Sequence, residues 1–207
     1  MHFGELGNLA FLRPNYAKVV ADLCKEQGGL PFLTDCNTLY PGSRKNALEH
    51  LTCAQLNGFW PMTTGCQVII ADGLRGTDEA EVPVPNGEYC KTAKIGRAIM
   101  DADIFISLTH FKGHESTGFG GTLKNIGMGC GSRAGKMIQH AAGHPEVQQS
   151  LCRGCHRCAK ECGSDAITYD ANNKAVIDQT KCKGCGRCIG ACNFDAIYSQ
   201  CDSANEM

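Results

Sequence analysis

The chain has 207 residues, of which 43% are hydrophobic and 20% are charged, so it can bury a core and is not a disordered chain. Twenty Lys and Arg residues nearly balance 21 Asp and Glu residues, and a net charge of −1 offers no electrostatic basis for binding nucleic acid. The longest apolar runs, over residues 68–71 and 104–106, are far shorter than the roughly 20 residues of a membrane span, and the first residues lack a signal-peptide pattern.

Cysteine and glycine are the two residue types in excess, with 15 and 25 copies. So many cysteines indicate either a disulfide framework or metal ligation. The odd count, the tight spacing and the lack of a visible export signal favour metal-bound thiolates in a reducing compartment, and we therefore expect a cytoplasmic protein. Eight of the cysteines fall between residues 152 and 192, which divides the chain near residue 150.

Residues 1–148 alternate between helix and strand signals. Pro14 suits the first turn of a helix that Gly28 ends, and Ser43 can cap a second helix that stops at Gly58. In chain order, we predict a helix over 14–27, a strand over 30–36, the helix after Ser43, a strand over 67–71, a hairpin over 82–92, a helix over 91–102 and a strand over 103–108. This alternation predicts an α/β domain with a largely parallel sheet, whose strand order the sequence leaves open.

The cysteine-rich region contains an internal repeat with a constant offset between its two copies. The spacing C-x2-C-x2-C-x3-C occurs over residues 152–162 and again over 182–192. This is the ligand spacing of [4Fe–4S] clusters in bacterial two-cluster ferredoxins, where the fourth cysteine of each run ligates the other cluster. We therefore predict a two-cluster ferredoxin domain of the α+β class, with approximate two-fold symmetry, over residues 149–200, and a tail over 201–207.

The repeat assigns four cysteines to each of two [4Fe–4S] clusters. Cluster I takes Cys152, Cys155, Cys158 and Cys192, and cluster II takes Cys182, Cys185, Cys188 and Cys162. Zinc or disulfides fit the repeated excess cysteine less well. The Pro that usually follows the fourth cysteine is replaced by Gly163 and Asn193, which both tolerate turn geometry. Clusters of this kind carry single electrons, so we expect a redox protein partner.

Several cations of the repeat stand beside the predicted ligands. They either favour the reduced clusters and raise their potential, or form a solvated face that docks an acidic partner, and the sequence leaves both interpretations open. These cations are Arg153, Arg157, Lys183 and Arg187.

A glycine-rich segment follows the strand predicted over 103–108. Eight glycines fall within 113–135, which lets backbone amides approach a ligand closely, and Lys112, Lys124, Arg133 and Lys136 supply positive charge. The segment is not a P-loop, since G-x4-G-K-[ST] is missing. It is either a cradle for an anionic small molecule, phosphate or carboxylate, or a long loop that wraps closely over the sheet. The candidate catalytic residues are His110, Lys112, His114, Lys124 and Asn125.

Polar residues also follow the first two predicted strands. Asp35 and Asn37 come after the first strand, and Asp72 and Arg75 come after the second. Because the carboxyl ends of parallel strands face the ligand crevice of an open sheet, we expect these side chains to converge with His110.

Two further features carry alternative interpretations. The spacing of His110 with His114, and of His140 with His144, is typical of zinc ligands on a helix, but a glycine interrupts each pair, which favours hydrogen-bonding or substrate-contacting roles. Cys130 stands between two glycines and is either a reactive thiol or a small buried hydrophobe.

Six segments carry a resemblance that covers nearly the whole chain. They are HFGELGN (2–8), RPNYA (13–17), LTDCNTLYPGSR (33–44), TTGCQVIIADGLRGTD (63–78), DADIFISLTHFKGHESTGFGGTLKNIGMGCGSRAGKM (101–137) and the cysteine repeat. The sequence resembles a prokaryotic family of iron–sulfur-centre proteins that fuse an α/β domain of unknown function to a two-cluster ferredoxin. The resemblance implies both domains but names no reaction. In the proteins that it resembles, more chain precedes residue 2 and follows the ferredoxin, so we expect a truncated form with an incomplete first domain.

The leading hypothesis is an intracellular electron-transfer protein whose clusters pass single electrons to or from a site in the α/β domain. Whether the chain is itself an oxidoreductase stays open. A second hypothesis makes the clusters structural or sensory, with an α/β domain that binds an anionic small molecule. A third makes the protein an accessory factor for another redox enzyme.

Overall fold

Two hydrophobic cores organise the chain, one in its first half and one in its cysteine-rich region. The computed structural model describes residues 1–39, 42–88, 90–114, 118–139 and 144–199. His140 and the tail predicted over 201–207 lie outside these ranges.

The first core gathers aromatic rings beside helix α1 (Pro14–Glu26), which confirms the helix predicted over 14–27. Proline at its first position needs no backbone N–H partner, because that N–H group would be unsatisfied in any helix. The ring centroid of Phe59 lies 5.3 Å from that of Phe3 and 5.9 Å from that of Phe11, which are usual distances for tilted aromatic pairs.

The first sheet pairs β1 (Phe32–Asp35) with β2 (Gln67–Ile70) in parallel. Both strands lie within segments predicted as strands, and the sequence had left their pairing open. Helices α2 (Ala47–Leu56) and α3 (Pro61–Thr64) connect them along the chain. The cap of α2 is not Ser43 but Asn46, whose side-chain oxygen accepts the backbone N–H of Glu49 at 3.1 Å. The helix therefore begins later than the sequence suggested.

The predicted hairpin is longer than expected and replaces a predicted helix. Strands β3 (Glu79–Pro83) and β4 (Thr92–Gly96) pair in antiparallel, so the helix predicted over 91–102 is wrong except for one turn, α4 (Arg97–Met100). The glycine that ends β4 allows close packing, because a Cβ there would lie 2.7 Å from the sulfur of Cys36.

The strand predicted over 103–108 does not form. Ile104 is 79% exposed, and the carbonyl of Leu108 accepts a hydrogen bond from the Asn125 side chain at 3.1 Å instead of from a neighbouring strand. Within the described ranges the sheet of β1 and β2 therefore has two strands, and the larger parallel sheet that we predicted is not formed there.

The glycine-rich segment folds into short elements rather than one long loop. These are an antiparallel pair β5 (Lys112–His114) and β6 (Gly118–Gly120), then α5 (Thr122–Lys124), a π-helix (Asn125–Gly129) and α6 (Arg133–Gln139).

The cysteine-rich region contains two antiparallel strand pairs and two short helices. Its elements are β7 (Pro145–Val147), α7 (Arg157–Lys160), β8 (Ile167–Tyr169), β9 (Ala175–Ile177), α8 (Arg187–Ala191) and β10 (Ile197–Ser199). Strand β7 pairs with β10, and β8 pairs with β9. Because β7 precedes residue 149, the sheet of this region begins earlier than the boundary that the sequence suggested.

The two regions are joined by side chains as well as by the chain. Leu39 and Met137 from the first region pack in the same core as Ile189. The Lys45 ammonium pairs with the carboxylate of Asp195, which crosses from one region to the other. The two regions therefore share part of their hydrophobic and ionic contacts.

Candidate functional site

Cysteines from both runs border one cavity in the cysteine-rich region. Its lining includes Cys152, Cys155 and Cys158 of the first run together with Cys192 of the second run. Three of these thiols are buried, and Cys155 is exposed. These four cysteines are the set that the repeat assigned to cluster I.

Left-handed backbone conformations bend each run around its thiols. In the first run φ is +64° at Gly154 and +63° at His156, and in the second run it is +64° at Gly184 and +66° at Gly186. A left-handed residue reverses the local chain direction, so that cysteines two or three positions apart can face the same point. The helices α7 and α8 begin directly after these turns.

The electrostatic environment of Cys158 shows that the runs meet. Burial raises the pKa of the Cys158 thiol, a hydrogen bond with the Tyr169 hydroxyl at 3.7 Å opposes this, and the charges of Cys155 and Cys192 raise it further. Cys192 of the second run therefore lies next to thiols of the first run.

The second set shows the reciprocal arrangement. Burial raises the pKa of the Cys182 thiol, a hydrogen bond from the backbone N–H of Gly184 opposes the rise, and the charges of Cys185 and Cys162 add to it. The same neighbours, together with burial, raise the pKa of Cys188 well above its usual range. Cys162 of the first run thus lies near the thiols of the second run.

Backbone N–H groups point at several of these sulfurs. The N–H of Ala175 donates to the sulfur of Cys152 at 3.4 Å. Two alanines at matching positions of the repeat, Ala166 and Ala196, donate to Cys162 at 3.3 Å and to Cys192 at 3.4 Å. Such hydrogen bonds stabilise negative charge on a thiolate ligand and tune the potential of an iron–sulfur cluster.

The thiols are free and their chemistry suits iron–sulfur ligation. None of the 14 cysteines in the described residues forms a disulfide. No three His, Cys, Asp or Glu side chains there are placed to hold a single metal ion, so the thiols do not form a mononuclear site. The bent runs, the buried thiols and the N–H donors are the features that a thiolate-bound cluster requires. The residues present therefore fit such a group.

A second cavity, of about 200 Å³, lies in the first region of the chain. All five candidate residues that the sequence singled out line it. They are His110, Lys112, His114, Lys124 and Asn125. Strand β5 positions Lys112 and His114, and His110 lies two residues before that strand. Helix α5 ends at Lys124, and the π-helix begins at Asn125.

Contacts between these candidates fix the cavity wall. The Lys124 ammonium contacts the ring nitrogen Nε2 of His114. The side-chain amide of Asn125 donates to the Thr109 hydroxyl at 3.1 Å as well as to the Leu108 carbonyl. The π-helix that carries Asn125 is a rare conformation that occurs frequently at functional sites.

Positive charge dominates the cavity lining. Among the described lining residues, the side chains of Arg44, Lys112, Lys124 and Lys136 stand against a single carboxylate, that of Asp35. Of the cations predicted for the glycine-rich segment, Lys112, Lys124 and Lys136 line the cavity, and Arg133 does not. Arg44 was not predicted there because it belongs to the loop before α2. Chain folding, and no local motif, brings Arg44 to the cavity.

The polar residues after the first two strands separate into different environments. Asp35 lines the cavity, and although burial alone would raise its pKa, interaction with His50 and the positive charge of Arg44 hold that pKa well below its usual range. Asn37 and Asp72 instead pair with each other, with the Asn37 side chain donating to the carboxylate at 2.8 Å.

Arg75 does not converge on the cavity as the sequence suggested, whereas Cys130 takes the buried alternative that the sequence offered. The Arg75 guanidinium pairs with the carboxylate of Glu161 in the cysteine-rich region, so it does not converge on the cavity. Burial raises the pKa of the Cys130 thiol, which favours the inert hydrophobe over the reactive thiol.

The glycines of the segment serve both roles that the sequence left open. Gly120, Gly121 and Gly129 line the cavity. A Cβ at Gly135 would lie 2.3 Å from the Lys94 carbonyl oxygen, so that glycine allows close packing on β4.

Two family sequence models match the chain. One, described as a domain of unknown function (DUF362), matches residues 1–186, and the other, described as a 4Fe-4S binding domain, matches residues 175–198. No curated protein matches it. Among the described residues, no helix has the length and apolar character to cross a membrane. The matches confirm the resemblance to a domain of unknown function joined to a ferredoxin-type, iron-binding domain.

Proposed function

Because the chain belongs to the DUF362 family and carries a 4Fe-4S binding domain, we propose that it binds two [4Fe–4S] clusters and transfers electrons between a redox partner protein and the α/β cavity. The observation that carries the proposal is the exchange of the fourth cysteines. Cys192 lies with the first run and Cys162 lies with the second run.

The recurrence of elements supports a domain of two related halves, as in two-cluster ferredoxins. Three elements of the first half have a counterpart at the matching position of the second half. Strand β7 corresponds to β9, helix α7 to α8, and strand β8 to β10. Asp165 and its counterpart Asp195 share a left-handed φ of +49° and +52°. Both halves therefore offer the same backbone to a ligand set.

Each cluster, when bound, accepts or releases one electron at a time. Cys152, Cys155, Cys158 and Cys192 would hold cluster I, and Cys182, Cys185, Cys188 and Cys162 would hold cluster II. The chain's own contribution is to bury four of these eight thiols, to half-bury three more and to donate N–H groups to several of the sulfurs. Thiolates persist as ligands in a reducing compartment, which is why we propose a cytoplasmic location.

The test of this proposal is anaerobic purification with iron and sulfide assays, followed by electron paramagnetic resonance of the protein reduced with dithionite. Two clusters predict about eight irons and eight sulfides per chain and signals from two interacting centres. About four irons per chain, or no signal from the reduced protein, would exclude it.

The positive lining of the α/β cavity supports an anionic small molecule as the ligand at this site. A carboxylate or phosphate group next to Lys112, Lys124 and Arg44 would form charge-assisted hydrogen bonds, which are about twice as strong as neutral ones. His110, His114 and Asn125 supply further hydrogen-bonding groups. In the leading proposal this ligand exchanges electrons with the clusters.

A second candidate function uses the same cavity without electron transfer: the clusters are structural or sensory and the protein binds an anion. Calorimetric titration with inorganic phosphate, on oxidised and on reduced protein, distinguishes the two functions. Affinity that changes with the redox state of the clusters, in a protein that exchanges electrons with a mediator dye, supports the leading proposal. Changed affinity in a protein that exchanges no electrons with the dye supports a sensory cluster. Equal affinity, in a protein that exchanges no electrons with a mediator dye, supports the second.

A variant pair locates the binding in this experiment. Lys124→Ala removes a cavity cation, and about tenfold weaker phosphate binding is expected, with unchanged iron content. Lys91→Ala removes an exposed lysine outside the cavity lining and should leave both quantities unchanged. Equal effects of the two substitutions would place the anion elsewhere.

A further inference from the structure

One face of α8 carries glycines where the corresponding helix of the first copy, α7, carries larger side chains. Gly186 and Gly190 lie about one helical turn apart, and their counterparts in the first copy are His156 and Lys160. A Cβ at Gly186 would lie 2.6 Å from Cδ of Arg133, and a Cβ at Gly190 would lie 3.0 Å from Nη2 of the same residue. The second run therefore leaves space along this face, and Arg133 from α6 fills it.

Arg133 is fully buried, and its guanidinium donates only to backbone carbonyls. Nη1 donates to Thr38 at 2.9 Å, Nε donates to Arg75 at 3.2 Å, and Nη2 donates to Lys45. No carboxylate of the described residues lies within 4.0 Å of it. An unpaired buried charge is costly, by roughly several kcal/mol, so an anionic group nearby is needed to offset it.

The second run supplies further negative charge beside this guanidinium when its cysteines bind a cluster as thiolates. Burial lowers the pKa of Arg133, and the charges of Asp72, Cys188 and Cys185 oppose that shift. Oδ1 of Asp72 accepts hydrogen bonds from the backbone and side-chain N–H groups of Asn37, whereas its buried Oδ2 has no hydrogen-bond partner among the described residues. Asp72 therefore compensates part of the Arg133 charge from beyond ion-pair distance. Cys185 and Cys188 flank the glycine against which Arg133 packs.

We propose that Arg133 is the counter-cation of cluster II and raises its midpoint potential above that of cluster I. The inference rests on the proposed function, because it requires a second cluster. Reduction by an external one-electron donor adds one negative charge to a cluster site, and a buried cation beside that site stabilises the reduced form more than the oxidised form. Arg153 and Arg157 beside the first cavity are exposed, so water and salt screen their charge.

The position of Arg133 also orders the two clusters relative to the α/β cavity. Thr38 lines that cavity, and the same guanidinium that binds its carbonyl packs against Gly186 of the second run. Cluster II is therefore the inner site, next to the α/β region. Cluster I, with its exposed Cys155, is the outer site that faces a partner protein, so electrons entering there move to the higher potential inside.

Potentiometric titration followed by electron paramagnetic resonance tests this assignment with two variants of Arg133. Arg133→Gln removes the charge and keeps a side-chain N–H donor, and Arg133→Lys keeps the charge. We expect Arg133→Gln to lower one midpoint potential by about 59 mV, which for one electron is a tenfold change in the ratio of reduced to oxidised cluster. Arg133→Lys should keep that potential near the wild-type value. Arg153→Gln should leave the same cluster unshifted.

Each outcome is decisive. Equal shifts in Arg133→Gln and Arg133→Lys, or no shift in either, would overturn the role of the charge. If Arg133→Gln does not fold, Gly190→Ala displaces the Arg133 guanidinium instead. An unchanged midpoint potential in Gly190→Ala would also overturn the role of the charge. Wild-type protein with about four irons would contradict the proposed function itself, whereas about eight irons with unshifted potentials would contradict only this inference.

Discussion

Cys155 is the exposed thiol of the first cavity, and its substitution separates ligation from packing. Because Cys155→Ala removes one of four ligands without emptying a buried space, we expect the iron content after anaerobic reconstitution to fall from about eight to about four per chain. Iron and sulfide assays measure the change. Cys24→Ala on α1 serves as the control and should keep all the iron; a full iron content in Cys155→Ala would contradict the ligand set.

Glu5 gives a residue-level prediction for the pH dependence of stability. Burial would raise its pKa, but hydrogen bonds from Ser43 and the positive charge of Arg44 outweigh that effect and hold the pKa below its usual value. A lowered pKa in the folded state stabilises the fold above the unfolded value of about 4.3, and this contribution is lost as the pH falls through the folded value.

We therefore expect Glu5→Gln to cost about 1.5 kcal/mol of unfolding free energy near pH 7 and progressively less as the solution is acidified toward pH 4. Urea unfolding of the wild-type protein and of Glu5→Gln is measured at several pH values. Because the two proteins are compared at the same pH, acid effects on the clusters cancel. Glu26→Gln removes the charge of an exposed carboxylate at the end of α1, serves as the control and should cost less than about 0.5 kcal/mol. A cost for Glu5→Gln that stays constant with pH would refute the assignment.

Local sequence identified the cysteines, because their spacing alone brings the sulfurs together. It could not identify Arg133, whose partners are the carbonyls of Thr38, Lys45 and Arg75, about 60 to 95 positions away along the chain. One signal was nevertheless available. The exchange of His156 and Lys160 for glycines in the second copy of the repeat marks the face that another side chain occupies.

At the level of elements, the start of α2 depends on Asn46 and not on Ser43. The Asn46 side chain accepts the Glu49 N–H group, so Asn46→Ala leaves that donor without its partner and should cost about 1 kcal/mol of unfolding free energy. Asn46→Ser retains a capping oxygen and should cost little. Urea denaturation compares the two; equal losses would show that the cap does not stabilise the helix.

Elements with strong local signals were predicted correctly, and those that depend on distant partners were not. Proline and glycine define α1 at both ends, whereas residues 92–96 carry an ambiguous pattern that pairing with β3 resolves as a strand. Residues 103–108 carry the apolar signal of a buried strand, yet a strand requires a neighbour, and none of the described segments pairs with them. Periodicity detects the tendency of a segment but not its partner.

At the level of the whole molecule, the cysteine-rich region and the first region form one structural unit. Leu39 and Met137 pack with Ile189, and Lys45 pairs with Asp195. A two-domain fusion with an independent ferredoxin would not need these contacts. The composition of the chain indicated two regions, but it could not indicate how much they share, since each contact joins residues that are far apart in sequence.

This coupling predicts that removing the clusters weakens the fold far from the cysteines. Trp60, the single tryptophan, precedes α3 in the first region and reports on that region by fluorescence. In the proposed two-cluster protein, chelation removes the groups that hold the cysteines together and negative charge beside Arg133, so we expect the urea midpoint of the Trp60 transition to fall by about 1 M after anaerobic chelation.

A substitution of Arg133 distinguishes the loss of charge compensation from a general destabilisation of the fold after chelation. Arg133→Met should destabilise the cluster-loaded protein, because it leaves three carbonyls without donors and the clusters without a cation. In the cluster-free protein the same substitution removes an uncompensated buried charge, so its cost should be smaller by about 1–4 kcal/mol. An identical Trp60 transition with and without clusters, or an identical cost of Arg133→Met in both states, would mean that the two regions fold independently.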